Sequence, residues 1–289
     1  MLEVIIDTLV DSIKLLPFLF IAYLIMEYIE HKTSSKAKNI IKKSGKFGPI
    51  IGGFLGIFPQ CGFSAIAANL YAGRIITLGT LIAIFLSTSD EMLPILISEG
   101  APFEIILKIL GIKLIIGIFA GLAIDVVMRI KNLNKNKKED ENEEKIGEIC
   151  EHEHCHCGEE GILKSSLRHT FSIFIYIMII SFILNTVIHF VGEENLSRLI
   201  LNNWLLGPII AGLVGLIPNC ASSVILTQLY LENVINMATM ISGLLVGAGV
   251  GILILCKVNK NAKENIKIIT LLYCIGVISG LIIQAIGIQ

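Results

Sequence analysis

Residues 47–73 read FGPIIGGFLGIFPQCGFSAIAANLYAG, and residues 206–232 read LGPIIAGLVGLIPNCASSVILTQLYLE. The two stretches align without gaps at an offset of 159 residues, and the alignment continues over Gly48–Leu96 and Gly207–Leu255. Several residues recur at equal positions in both copies: Gly48, Pro49, Gly53, Gly56, Pro59, Cys61, Ser64, Leu70 and Tyr71 in the first. Self-similarity at a fixed offset predicts a structural unit that occurs twice.

Each copy is an apolar segment with an interruption at its middle, Pro59-Gln60-Cys61 in the first and Pro218-Asn219-Cys220 in the second. Because proline lacks an amide hydrogen and clashes with the preceding turn, each segment is predicted to form two half-helices joined by an open corner. A half-helix of about 11 residues rises roughly 16 Å, about half the hydrocarbon core of a bilayer. The polar corners are therefore predicted to lie near the bilayer midplane, where transporters built from repeats bind their substrates.

The composition is that of a membrane protein. Of the 289 residues, 54% are hydrophobic, and the mean hydropathy is +0.78. These values predict an all-α polytopic membrane protein and exclude an ordinary soluble domain. The apolar segments lie at 15–29, 47–72, 76–98, 103–128, 167–191, 205–231, 233–256 and 265–288. They divide the chain into a first transmembrane repeat, a charged loop and a second transmembrane repeat, at 1–128, 129–166 and 167–289.

The basic loops predict the topology. Loops 32–46, 129–166 and 257–264 are rich in lysine and arginine, so all three are expected in the cytoplasm of a multi-pass protein of the cell membrane. Three apolar segments separate the first two loops, which would place these loops on opposite sides. If segment 47–72 instead enters and leaves by one face, the conflict disappears.

The predicted fold therefore has two inverted repeats, each with three transmembrane helices and a Pro-broken re-entrant helical hairpin. In the alternative fold, each broken segment crosses the membrane as one kinked helix. That alternative gives eight crossings and parallel repeats, and it leaves one basic loop outside.

The run STSDEMLP at 87–94 places two carboxylates deep in an apolar segment. Ionised groups at such depth are costly and usually mark an ion or proton path. The neighbouring hydroxyls and Pro94 predict a second helix interruption, whose freed carbonyl oxygens would add ligands. The equivalent stretch in the second half, VGAGVG at 246–251, has no carboxylate but is equally suited to unwinding.

The predicted transport site combines these groups with the two corners. Its residues are Thr88, Ser89, Asp90, Glu91, Gln60, Cys61, Asn69, Asn219, Cys220 and Gln228. Carboxylate, amide and hydroxyl oxygens suit a hard or borderline divalent ion such as Mn²⁺, whereas thiolates favour Zn²⁺, Cd²⁺ or As(III). Cys61 and Cys220 fit either role, since small buried cysteines are also common packing residues.

A second predicted metal site lies in the charged loop, where residues 150–158 read CEHEHCHCG. Alternating imidazole, thiol and carboxylate groups at this density are typical of metal binding. The predicted ligands are Cys150, His152, His154, Cys155, His156 and Cys157. Because the surrounding sequence is acidic and matches no structural zinc module, capture or sensing of cytosolic metal is the expected role.

The runs GxxPQCGFSAxAxxLY and STSDEMLP, the second PNCASS copy and the His/Cys-rich loop resemble the ten-transmembrane heavy-metal exporters. Members of this family carry names such as arsenic efflux protein and manganese transporter, and the resemblance covers almost the entire chain. The corners are also similar to those of permeases for trivalent organoarsenicals. The closely spaced cysteines of those permeases are absent here, because Cys61 and Cys220 each stand alone in their corner.

The sequence thus predicts a secondary transporter that exports a divalent transition metal by ion or proton antiport, with Mn²⁺ as the favoured substrate. The chain has no GxxxxGK[ST] motif for ATP hydrolysis. The nearest alternative substrate is arsenite, a trivalent arsenical or another soft metal. Two alternatives belong to other functional classes. One is an intramembrane enzyme, with Asp90 as acid or base and a cysteine as nucleophile, and the other is a metal sensor that does not transport.

No permanently bound cofactor is expected. The expected partners are the lipid bilayer, the metal ion and protons as counter-ion. Nucleic acid is not expected, and homo-oligomerisation stays open.

Overall fold

The computed structural model describes residues 47–58, 61–89, 91–135 and 206–287, together with single helical positions within 9–24 and 163–186. For Cys61, Cys220 and residues 132–135 it describes the backbone alone. The four continuous ranges are helical and contain no strand. Their helices are α1 (Gly48–Gly56), α2 (Cys61–Ala72), α3 (Leu78–Ser87), α4 (Met92–Ser98), α5 (Phe103–Lys135), α6 (Leu206–Gly215), α7 (Cys220–Leu231), α8 (Met237–Val246), α9 (Val250–Val258) and α10 (Ala262–Ile286).

The helix interruptions lie where the sequence predicts them. Residues 57–60 separate α1 from α2, and residues 216–219 separate α6 from α7; we call these corner 1 and corner 2. Residues 88–91 separate α3 from α4, and residues 247–249 separate α8 from α9; we call these break 1 and break 2. The predicted interruptions at the two prolines, at the carboxylate run and in the glycine-rich stretch are therefore confirmed.

The tight turns of the two halves repeat residue by residue. After α2 the chain turns through Arg74, and after α7 it turns through Asn233; both backbones are left-handed, with φ of 56° and 59°. Thr77 then caps α3 and Asn236 caps α8, each accepting a hydrogen bond from the amide three residues later. Each pair is separated by the sequence offset of 159 residues, so the repeat is also one of local structure.

The contacts between helices repeat in the same way. A Cβ atom at Gly117 of α5 would lie 3.0 Å from the carbonyl oxygen of Ala83 in α3. A Cβ atom at Gly276 of α10 would lie 3.0 Å from the carbonyl oxygen of Ser242 in α8. The two contacts are again 159 residues apart. Each half thus packs its long helix against its broken helix through small residues at equivalent positions.

Two glycine contacts fix the direction of α1 relative to α3. Gly48 of α1 lies against Thr80, near the start of α3, and Gly56 lies against Ser87, at the end of α3, so α1 and α3 run parallel. Residues 73–77 join the end of α2 directly to the start of α3. The start of α1 and the end of α2 therefore lie at the same level of the bundle.

The two halves are joined through α2, which packs along α9 of the other half. A Cβ atom at Gly251, near the start of α9, would lie 2.8 Å from Cβ of Ser64, near the start of α2. Beyond the ends of these helices, Arg74 forms a bidentate ion pair with Glu264 of α10, with N–O distances of 2.8 and 3.0 Å. Tyr71 donates a further hydrogen bond to Glu264. We call this end of the bundle the clasp end.

Burial separates central helices from peripheral ones. Met237–Val258 contains α8 and α9, and 89% of its apolar 18-residue stretch is buried. In Phe103–Lys131 of α5, only 28% of the corresponding stretch is buried. The exposed face of α5 carries large apolar residues such as Phe119. Four segments of the described chain are long and apolar enough to cross a membrane: Leu78–Ser98, Phe103–Lys131, Met237–Val258 and Ala262–Ile286. This architecture fits the predicted all-α polytopic membrane protein.

Candidate ion site at the helix breaks

In the first half, a serine hydroxyl joins corner 1 to break 1. Ser89, in break 1, is 1% exposed, and its hydroxyl donates to the carbonyl oxygen of Ile57 in corner 1. Ile57 follows the last residue of α1, so its carbonyl is among the groups that a helix end leaves without an internal partner. The Ser89 hydroxyl satisfies that carbonyl and places the predicted ligand run beside the predicted corner.

In the second half, corner 2 is placed beside break 2 by close backbone contacts. A Cβ atom at Gly215, the last residue of α6, would lie 2.2 Å from the carbonyl oxygen of Gly243 in α8. A Cβ atom at Gly247, in break 2, would lie 3.6 Å from the carbonyl oxygen of Gly215. Corner 2 therefore lies beside break 2, in the arrangement that corner 1 and break 1 show in the first half.

A lysine connects the two breaks. Lys113 lies ten residues, about 15 Å, from the start of α5 and is only 1% exposed. Its Nζ donates to the carbonyl oxygen of Thr88 at the end of α3 and, at 3.0 Å, to that of Leu244 in the last turn of α8. The carboxyl ends of both helices thus point toward one ammonium group, which suits the partial negative charge of a helix carboxyl end.

Hydroxyl groups line the end of α3. Ser87 donates to the carbonyl oxygen of Ala83, and Thr88 donates to that of Ile84, each at 2.7 Å. Both side chains are buried. A hydroxyl that donates its proton keeps two lone pairs, so these oxygens can still accept a cation. Break 1 therefore offers hydroxyl oxygens of the kind that the sequence analysis assigns to the site.

Of the two predicted carboxylates, the structure describes Glu91. This residue immediately precedes α4, is partly buried, and makes no side-chain hydrogen bond to the described part of the chain. Asp90 lies outside the described residues, between Ser89 and Glu91 in the sequence. Its predicted role as a ligand stays a prediction.

The amide residues predicted on the half-helices occupy unlike places. Asn69 in α2 is fully buried; its Nδ2 donates to the carbonyl oxygen of Ala65, and its Oδ1 has no partner among the described residues. Asn69 lies near Tyr71 and hence toward the clasp end, about two helical turns beyond the start of α2. Gln228, at the equivalent position of α7, is exposed. The structure therefore does not bring these two side chains together with the breaks.

At corner 2, Asn219 is buried, and its carbonyl oxygen accepts a hydrogen bond from the Ser222 hydroxyl at 2.8 Å. Cys61 and Cys220 are the first residues of α2 and α7, each directly after its corner. The thiol positions of both cysteines lie outside the described part. So do Gln60 and the loop ligands Cys150, His152, His154, Cys155, His156 and Cys157.

The described part of the site consists of backbone carbonyls, hydroxyls, an amide, the Glu91 carboxylate and one ammonium group. Within the described ranges, no three His, Cys, Asp or Glu residues are close enough to hold a metal ion together. Sequence reasoning missed Lys113, although the signal was present. A lysine in the middle of ILKILGIKLIIGIFAGLA costs about 2.5–3.5 kcal/mol on insertion scales, which is the argument applied to Asp90.

Comparison with known proteins gives one match. A protein-family model described as "Putative, 10TM heavy-metal exporter" matches residues 1–197, which is more than half of the chain. No significant match was found among curated proteins or among solved structures.

Proposed function

Because the chain belongs to the family of ten-transmembrane heavy-metal exporters, we propose that it is a secondary transporter that exports a divalent transition-metal ion, with Mn²⁺ as the preferred substrate. The observation that carries this proposal is the meeting of four helix interruptions in the interior of the bundle. Ser89 joins corner 1 to break 1, Lys113 joins break 1 to the end of α8, and Gly215 places corner 2 beside break 2. Interrupted helices at the repeat interface are a recurring way to build ion sites in transporters.

The proposed topology treats each broken unit as a re-entrant hairpin. Support comes from the first half, where the end of α2 lies at the level at which α1 begins. In the second half, the Ser242 hydroxyl donates to the carbonyl oxygen of Pro208, and Gly247 lies near Gly215, so α6 and α8 also run parallel. Residues 232–236 join α7 to α8 as residues 73–77 join α2 to α3.

The proposed relation between the halves is inversion. Arg74 of the clasp end precedes α3 by four residues, so α3 begins at the clasp end. Asp125, near the far end of α5, accepts hydrogen bonds from Thr77 and the Gly79 amide at the start of α3, so α5 ends there as well. In the second half, Gly280 lies farther along α10 than Gly276 and contacts an earlier part of α8, so α8 and α10 are antiparallel. Since α10 begins at the clasp end, α8 begins at the opposite end. Equivalent helices of the two halves therefore point in opposite directions.

The distribution of basic residues supports placing the clasp end on the cytoplasmic side of the membrane. The chain enters α1, leaves α5 and passes from α9 to α10 at this end, so basic loops 32–46, 129–166 and 257–264 all adjoin it. Cytoplasmic loops carry an excess of lysine and arginine. Acidic residues lie at the opposite end: Glu99, Glu104 and Glu232.

In the proposed mechanism, the metal ion is collected near the His/Cys-rich loop and passes to Asp90, Glu91 and the carbonyl and hydroxyl oxygens at break 1. These oxygen donors favour a hard or borderline ion such as Mn²⁺. Protonation of the carboxylates from the outside would then release the ion. Each exported ion would thus be exchanged for protons, and no ATP would be consumed.

Flux through the purified protein tests this proposal. In liposomes that contain the full chain and a Mn²⁺-quenched dye, an acidic lumen is expected to accelerate Mn²⁺ entry several-fold, because protons leave as Mn²⁺ enters. A protonophore should remove the acceleration, and protein-free liposomes serve as the control. Mn²⁺ entry no faster than in protein-free liposomes would refute metal transport, and entry that ignores the proton gradient would refute antiport.

Efflux of trivalent arsenicals is the second candidate, because Cys61 and Cys220 each begin the helix that follows a corner. Replacing both with serine is expected to leave Mn²⁺ flux within about threefold of wild type, since oxygen ligands dominate the proposed site. A matched control replaces the exposed Cys256 and Cys274 with serine. If the corner variant alone abolishes flux and the wild type carries arsenite, the soft-metal function is correct instead. Membership in an exporter family favours both candidates over an intramembrane enzyme.

A further inference from the structure

We propose that Lys113 is a tethered cation that occupies the exporter's ion site between transport events, and that the transported ion displaces it. The site in question is the carbonyl cradle, formed by the backbone carbonyl oxygens of Thr88 and Leu244. The inference rests on the proposed function, because it assigns the cradle to the same exported ion. It adds a ligand that the sequence did not suggest, the Leu244 carbonyl, and a role for a residue outside the predicted site.

The first argument is that the carbonyl cradle already binds a cation, the Lys113 ammonium group. Carbonyl oxygens at a helix carboxyl end lack internal partners and carry partial negative charge, so two such ends aimed at one point favour a cation. The Lys113 ammonium stands where a metal ion would make the same contacts with oxygen. Carbonyl oxygens are also ordinary ligands of hard divalent cations.

The second argument is position. Thr88 is two residues before Asp90 and three before Glu91, and the chain spans at most about 3.6 Å per residue, so the Cα atom of Thr88 lies within about 11 Å of the Cα atoms of both predicted carboxylate residues. A cation held in the cradle would therefore interact with the carboxylates that the proposed mechanism uses. Lys113 supplies one positive charge to this region while no metal is bound.

The third argument is that the two halves differ at these positions. At the offset of 159 residues, Leu272 is equivalent to Lys113 and Gly249 is equivalent to Asp90. Leu272 is fully buried in α10, so the second half places an apolar side chain where the first half places its ammonium. Carboxylate and ammonium groups thus occur together in one half and are absent together at the matching positions of the other. This pairing is expected if the lysine balances the charge of an ion site.

Thermal unfolding with and without Mn²⁺ tests the inference on the purified full chain. Lys113→Met removes the tethered cation but keeps the side-chain volume. Without metal, the variant should unfold at a lower temperature than wild type, because the cradle carbonyls have lost their cation. Mn²⁺ should raise its unfolding temperature more than it raises that of wild type, and the variant should bind Mn²⁺ about tenfold more tightly, since no internal cation competes.

Two further variants separate this role from a structural one. Lys113→Arg keeps the charge and should bind Mn²⁺ no more tightly than wild type. Lys108→Met removes an exposed lysine of the same helix and should leave the Mn²⁺ response unchanged. If Lys113→Met fails to fold without metal, purification in Mn²⁺ should restore it. A variant that Mn²⁺ neither restores nor stabilises beyond wild type would overturn the inference.

The outcomes also distinguish this inference from the proposed function. If wild type transports Mn²⁺ in liposomes but Lys113→Met gains no affinity, the tethered-cation role is wrong and export stands. If wild type shows no flux but Lys113→Met gains Mn²⁺ affinity, the cradle is a cation site and the export proposal is wrong.

Discussion

Replacing Gly215 with alanine is expected to lower the unfolding temperature of the purified protein by about 10 °C. The new Cβ atom would lie 2.2 Å from the carbonyl oxygen of Gly243, and the α6 and α8 backbones would have to separate. Overpacking of this kind costs about 3 kcal/mol when the neighbour is backbone and cannot rotate away. For chains of this size, each kcal/mol shifts the unfolding temperature by roughly 2–4 °C. The measurement is thermal unfolding in detergent.

Gly111 provides the matched control for this prediction. It lies within α5, and no described atom outside its own helix lies within 4 Å of its Cβ position. Alanine at this position should be neutral or stabilise the helix by about 0.5–1 kcal/mol, because glycine is the poorer helix former. Equal unfolding temperatures for the Gly215→Ala and Gly111→Ala variants would show that corner 2 does not pack against α8 as closely as the structure indicates.

Asp90→Asn is expected to reduce Mn²⁺ flux by about 100-fold while leaving the protein folded. Asparagine keeps the shape and one carbonyl oxygen but removes the negative charge opposite a divalent ion. Losing one charged ligand in a partly buried site costs about 3 kcal/mol, and every 1.4 kcal/mol, roughly, is tenfold in affinity. The measurement is the liposome flux assay, together with thermal unfolding to establish that the variant is intact.

Glu99→Gln is the control for the charge change, because Glu99 is an exposed carboxylate at the end of α4, beyond the breaks. Its flux should equal that of wild type. If Asp90→Asn transports Mn²⁺ at the wild-type rate, the carboxylate is not a ligand in the transport cycle. The oxygen-based site at break 1 would then be wrong, even if the protein exports metal by another route.

The positions of the helix interruptions could be predicted from the amino-acid sequence. The corners follow from Pro59 and Pro218, because the missing amide hydrogen and the steric clash act within one helical turn. Break 1 follows from hydroxyl and charged residues within an apolar run, and break 2 follows from repeated glycine. Each of these causes is local, and the structure confirms all four interruptions.

The structure does not bring together all the residues that the sequence analysis assigned to the transport site. Asn69 and Gln228 share a repeat position, yet one is buried near the clasp end and the other is exposed. The half-helices have equivalent partners, since α2 lies along α9 and α7 contacts α4, which matches α9 at the offset of 159 residues. The contact between α7 and the short helix α4 is, however, less extensive than that between α2 and α9. A repeat in the sequence specifies equal segments, but it does not specify equal surroundings.

The sequence by itself determined the membrane class, the repeat and the places where its helices stop, because hydropathy and backbone chemistry act over short distances along the chain. Tertiary structure alone decided that α2 packs along α9 of the other half, and that Lys113 reaches carbonyl oxygens 25 and 131 residues away. Two halves of similar sequence offer similar partners to each half-helix. Only packing of the whole chain selects between them, and that selection brings the ammonium group to the breaks.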